Sequence, residues 1–228
     1  MNIQLLFSIL GQTEFETESW WSTIEKGGTV GYIILGLSLI ALSLAVMHFV
    51  QIRRTALLPE VQLTTLEQLL ANGETQEALE YCVDPSNDTY LTRILATGLL
   101  RYQRSAFGPF ELKSSLEEAG EEQTSRLFRS TDAIGLIGTI APLLGLLGTV
   151  LGMVGAFKTL GTDSANTNAA LAGNISEALI TTMLGLVLAI PCVALFSYFR
   201  NRIEGLSSEA SSEIERLVLH LEEAQGTK

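Results

Sequence analysis

One carboxylate interrupts a long uncharged run. Glu177 lies in the string Asn174-Ile175-Ser176-Glu177-Ala178-Leu179-Ile180-Thr181-Thr182, at the head of an apolar segment. No other acidic residue occurs in that segment or in the apolar segment before it. An ionisable side chain inside a bilayer is costly; it faces a bundle interior or a wet cavity and marks an ion route, so Glu177 is a candidate proton carrier. The competing position is the outer interface, where a carboxylate is favourable at the N-terminus of a helix. The helix start separates the two. A start near Ala170 buries Glu177 by about 10 Å, whereas a start at Asn174 leaves it at the surface.

Three hydroxyls accompany the carboxylate. Thr149 and Thr182 each fall among small residues, roughly 13–18 Å along their segments from the outer ends, a depth near mid-bilayer. Two hydroxyls at one depth would line a shared polar path; alternatively each bonds its own backbone one turn back, as threonine does in membrane helices. Thr181 lies within ~40° of Glu177 around a helix and Thr182 ~140° away, so one face cannot hold all three.

The elements that must carry these residues are helices. Between Gly135 and Thr159 small or kinking residues recur at steps of three and four: Gly135, Gly138, Pro142, Gly145, Thr149, Gly152, Ala156 and Thr159. That spacing puts them on one narrow helical face, with bulky apolar residues over the rest. Gly costs about 1 kcal/mol and Pro about 3 in the interior of a soluble helix. In a bilayer both are tolerated, and a small face lets a second helix approach closely. The following segment repeats the device with Ala178, Thr182, Gly185, Ala189 and Cys192, and carries Pro191.

Charge is segregated along the chain. Its 228 residues are 47% hydrophobic with a net charge of -11, yet residues 29–50, 133–157 and 178–199 carry no charge at all. A span needs about 20 apolar residues, so the pattern predicts an all-α membrane protein with three transmembrane helices. The predicted divisions are an N-terminal interfacial segment 1–28, a first span 29–50, a helical insertion 51–130, a second span 131–160, a connection 161–173, a third span 174–199 and a C-terminal helix 200–228. Trp20 and Trp21 suit the headgroup zone as anchors of the first segment. Basic residues beside the span ends (Arg53, Arg54, Arg126, Arg129, Arg200, Arg202) place the insertion and the C-terminus in the cytoplasm and the N-terminus in the periplasm.

In the insertion, helices are expected over Pro59–Ala71, stopped by Asn72-Gly73, over Glu74–Val83, and from Asp84-Pro85-Ser86 through Leu91, Ile94, Leu95, Leu99 and Tyr102. From Phe110 nothing stops a helix before Pro142, so the second span extends into the polar region. The third span continues as an amphipathic tail through Ile203, Leu206, Ala210, Ile214, Leu217 and Leu221. A helix from Asn174 to Ala224 would be roughly 75 Å long. Its apolar face calls for partners, most naturally further copies of the chain. The first span looks peripheral, and His48 at its polar end is expected to pack or snorkel.

Acidity argues against nucleic acid as a partner. Cys82 and Cys192 fit no metal or redox spacing, no phosphate loop or nucleophile–His–acid set is present, and no cofactor is implied. The reading is not an enzyme.

Two blocks carry a family resemblance: Ala141-Pro142-Leu143-Leu144-Gly145-Leu146-Leu147-Gly148-Thr149-Val150, and Ile175 through Pro191 with Glu177, Thr181, Thr182 and Gly185 inside it. In these the chain resembles the MotA/TolQ/ExbB proton-channel family, most closely the three-span ExbB/TolQ branch. The resemblance implies a homo-oligomer, a pentamer in this family, in the bacterial inner membrane around helices of an ExbD/TolR-like partner, with a TonB/TolA-like energy transducer beyond it. It implies proton flow driving work in the envelope. The family's membrane glutamate falls on Glu177 and its pore threonines on Thr149 and Thr182, while the main proton-carrying Asp belongs to the partner. Two rivals remain: a flagellar, MotA-like stator, which has four spans, and a passive scaffold in which the small stripes serve packing alone.

Overall fold

The computed structural model describes residues 27–104, 108–160 and 167–226. The expected N-terminal segment with Trp20 and Trp21, and residues 161–166 of the expected connection, lie outside them. The described residues form helices throughout: α1 Gly28–Gln51, α2 Arg54–Leu57, α3 Glu60–Ala71, α4 Thr75–Val83, a 3-10 turn Pro85–Asn87, α5 Tyr90–Arg104, α6 Gly108–Leu160 and α7 Thr167–Gly226. Three of them, α1, α6 and α7, are long and apolar enough to cross a membrane. The molecule is an all-α membrane protein.

Two boundaries differ from expectation. The helix containing Glu177 begins at Thr167, so residues 167–173 are helix where a loop was expected. The stretch Ala169-Ala170-Leu171-Ala172 contains strong helix formers and nothing that breaks a turn. Asp84-Pro85-Ser86 begins a 3-10 turn rather than α5, because the Asp84 carboxylate accepts from Ser86 N–H (2.9 Å) and Ser86 Oγ (2.8 Å). The cap of α5 is Thr89. Its N–H donates to Thr92 Oγ1 (2.9 Å) and its Oγ1 faces Thr92 N–H at 3.4 Å, a reciprocal box three residues apart. Pro142 and Pro191 both lie inside continuous helices. Each removes one backbone donor, and neither ends its helix.

The chain divides into two compact units, and α1, α6 and α7 contribute to both. The first comprises Met1–Ile40 and Gly138–Pro191. Within it α6 and α7 pack antiparallel at backbone distance. A β-carbon on Gly145 would stand 2.9 Å from Thr182 Cα, one on Gly152 2.8 Å from Asn174 O, and one on Gly185 2.6 Å from Ala141 O. As the α6 number rises the α7 number falls, which fixes the antiparallel register.

The second unit comprises Ala41–Ile137 and Cys192–Lys228. Its core is made of Leu66 and Leu70 from α3, Ala78 from α4, Leu91, Ile94, Leu95 and Leu99 from α5, and the polar-region turns of α6 and α7. Ile203, Leu206, Ala210, Ile214, Leu217 and Leu221 are all buried in this core. The apolar face of the tail, expected to call for other copies, is therefore buried within its own chain. Polar ties fix the arrangement. Tyr90 Oη bonds Thr124 Oγ1 (2.8 Å) and Ser207 Oγ (3.2 Å), joining α5, α6 and α7. Arg54 donates to Glu209 (2.7 Å) and Glu60 (2.8 Å), which hold its guanidinium pKa above the ordinary value.

Candidate functional site

Glu177 sits ten residues inside α7, beyond the first turn where a capping carboxylate would act. Among the described residues of the first unit it is the only acidic one. Its side chain is half-buried and reaches the first residue of α1: a β-carbon built on Gly28 would overlap Glu177 Oε1. Gly28 adopts φ +55°, in the left-handed region that glycine enters without steric cost. Among the described residues the α1 ladder begins with Gly31 N–H bonding Gly27 O (2.9 Å), so the carboxyl stands beside the first turn of α1.

The threonines occupy different places from the carboxylate. Thr181 is buried, donates to Ala178 O on its own helix (2.8 Å), and packs where a β-carbon on Gly148 would be. Thr182 Oγ1 faces Gly145 O across the seam at 3.0 Å and its own Ala178 O at 3.4 Å. The shorter contact makes it a cross-helix tie. Thr149 donates to Leu146 O at 2.6 Å, three residues back on α6. All three hydroxyl protons thus go to backbone carbonyls, and each oxygen keeps lone pairs that can accept. Thr181 and Thr182 are brought onto the glycine seam; Thr149 stands half-buried at its margin.

The expected packing stripe is rotated slightly in the structure. Gly145 and Gly152 meet α7 as backbone, but their companions are Ala141 and Gly148 rather than Pro142 and Thr149. Gly138 is buried, and Gly135 approaches the Phe196 ring, 3.0 Å from a built β-carbon, within the second unit. Gly185 on the α7 stripe also meets α6 as backbone. Pro191 is exposed. At Gly145, Gly148, Gly152 and Gly185 the two helices approach too closely to admit even a β-carbon without a shift.

Sequence reasoning missed two residues. Gly28 carried no signal beyond a Gly27-Gly28 pair ahead of an apolar run. Gly148 was passed over because the steps of three and four were counted from Gly135. His48 was expected to pack or snorkel, and it packs completely: Nε2 donates to Ser130 O (2.9 Å), the ring lies edge-on to Phe199 (5.6 Å), and Nδ1 has no hydrogen-bond partner among the described residues. It belongs to a buried stripe of α1 (Val30, Ile34, Ala41, Ala45, His48) that marks the packed side of a helix otherwise exposed.

Among the described residues no cluster of His, Cys, Asp or Glu could hold a metal ion. Cys82 is buried, and burial pushes its thiol pKa up to about 12. The chemistry available at Glu177 is that of one carboxyl exchanging one proton.

Comparison with known proteins follows the same blocks. The model of the MotA/TolQ/ExbB proton channel family matches residues 86–212. The chain is 31% identical over 199 residues to a putative biopolymer transport protein ExbB-like 3 of Synechocystis, covering 83% of this chain and 90% of that one. It is 34% identical over 122 residues to the biopolymer transport protein ExbB of Pseudomonas putida, covering 52% and 36%. It is 28% identical over 199 residues to the Tol-Pal system protein TolQ of Pseudomonas aeruginosa, covering 82% and 86%. The chain thus spans most of some relatives and about a third of the Pseudomonas putida protein.

Proposed function

Because the chain belongs to the MotA/TolQ/ExbB proton channel family, as an ExbB/TolQ-type, multi-pass inner-membrane protein, we propose that it is the motor-ring subunit of a proton-driven envelope complex. In this reading several copies surround the membrane helices of an ExbD/TolR-like partner. Proton flow along their contact energises outer-membrane transport or envelope maintenance. The N-terminus lies in the periplasm, and the insertion with the C-terminal helix in the cytoplasm.

The observation that carries the reading is Glu177, the sole acidic side chain among the described residues of the first unit, ten residues inside a continuous helix rather than at its cap. An ionisable group so placed is a functional group by default. Thr149 is the second candidate for the path, since it stands at the margin of the seam with lone pairs free to accept. The bonds of Thr181 and Thr182 support a packing role for those two residues.

The test is proton flux into liposomes containing this chain and its ExbD/TolR-like partner, under an imposed membrane potential. We expect Glu177→Gln to abolish the partner-dependent flux while leaving assembly intact. Unchanged flux would remove Glu177 from the mechanism and favour a passive scaffold.

A further inference from the structure

We propose that the first turn of α1 is a wall of the proton site, and that Gly28 is a positioning residue that sets where the Glu177 carboxyl rests. The inference rests on the reading of Glu177 as the proton-carrying group.

Gly28 satisfies two demands at once. Its φ of +55° disfavours any residue with a β-carbon. Independently, the space a β-carbon would fill is held by the end of the Glu177 side chain: Oε1 overlaps it, Cδ lies 2.9 Å away and Cγ 3.7 Å away. The distances lengthen from the head group back along the side chain, so the carboxyl is extended toward α1 and seated against its backbone. The described side of this seat is α1, a helix whose sequence marks it as peripheral. Through its end α1 enters the proton chemistry. A shift of that end relative to α7 would change the space open to the carboxyl, and with it access to the proton.

Gly73 offers the control. It has φ +76° and nothing within 4 Å of a built β-carbon, so alanine there imposes the backbone cost without a steric clash. Glu177→Asp offers the release: the side chain is shorter by one carbon–carbon bond, about 1.5 Å, which withdraws the carboxyl from the seat. The experiment is a cycle of wild type, Gly28→Ala, Glu177→Asp and the double variant. Each is co-reconstituted with the partner and read for proton flux, membrane yield and thermal stability, with Gly73→Ala and Glu177→Gln alongside.

We expect Gly28→Ala to lower flux by about tenfold or more, because sub-ångström placement governs transfer rates. In the Glu177→Asp background the same change should alter flux by no more than about twofold, the limit of additivity between uncoupled sites. Yield and stability should be rescued down to the backbone cost that Gly73→Ala reports, which keeps the test open where Glu177→Asp carries no flux or Gly28→Ala assembles poorly. An equal loss in both backgrounds, or no loss at all, overturns the proposal and leaves Gly28 as a helix-start residue only. Full flux in Glu177→Gln is a separate result: it overturns the proton reading of Glu177, and this inference falls with it.

Discussion

Adding one methyl group at Gly185 tests the central packing claim, since the same change elsewhere on α7 should act with the opposite sign. A β-carbon at Gly185 would lie 2.6 Å from Ala141 O and 3.2 Å from Gly145 Cα. Both obstacles are backbone, which cannot swing aside, so α6 and α7 must separate by several tenths of an ångström. Overpacking of this kind costs about 1–3 kcal/mol. Separation also stretches the 3.0 Å bond from Thr182 Oγ1 to Gly145 O, one turn away, whose loss adds about 1 kcal/mol. The sum is about 2–4 kcal/mol, a fall in melting temperature of about 5–15 °C for a chain of this size. At Gly205 a β-carbon meets nothing within 4 Å, and Gly205→Ala should stabilise α7 by about 0.5–1 kcal/mol through helix propensity. Thermal unfolding of both variants in detergent, followed by helical circular dichroism, measures the difference. If Gly185→Ala melts at or above the wild-type temperature, the two backbones are not in contact and the closed seam is wrong.

Three further outcomes follow from particular contacts. Thr182→Val should lower the melting temperature by about 2–4 °C, through loss of one hydrogen bond, and the shift should shrink in a Gly185→Ala background where that bond is already strained. Maleimide labelling at pH 8 should leave Cys82 unmodified in the folded protein and modify it after denaturation, because burial holds its thiol near pKa 12. Asp84 and Asp88 have carboxyl pKa values held below the ordinary range, Asp84 by the Ser86 N–H and hydroxyl and Asp88 by Arg93. Groups depressed in this way stabilise the fold above their unfolded pKa near 4, and that contribution is lost as pH falls through the folded value. Acid unfolding of the full chain, followed between about pH 5 and 2, should become less steep in Asp84→Asn.

Sequence patterns reached different depths in different parts of the molecule. The α3 stop at Asn72-Gly73 was legible because a left-handed residue after a helix needs glycine, and Gly73 has φ +76°. The extent of α6 was legible because nothing between Phe110 and Pro142 breaks a helix, although the proline itself did not end it. In the site, Glu177 was visible as a charge where charge is expensive. Thr182 was visible only as a small polar residue on a stripe, and its bond to Gly145 O depends on the register of two helices. The buried stripe of α1 was invisible because a helix apolar all round has no amphipathic side to read.

The sequence alone determined which segments are apolar helices, how many could span a bilayer, where the single carboxylate falls among them, and the family that these blocks share. Those features follow from local composition and from the cost of charge in hydrocarbon, and neither requires knowing what touches what. Tertiary structure decided the rest. It rotated the seam from Pro142 and Thr149 onto Ala141 and Gly148, buried the apolar face of the C-terminal tail within the chain, and set the Glu177 carboxyl against Gly28. Each outcome turns on register between elements far apart in sequence. A shift of a single residue on a helix rotates a side chain by about 100°, enough to exchange a packed position for an open one.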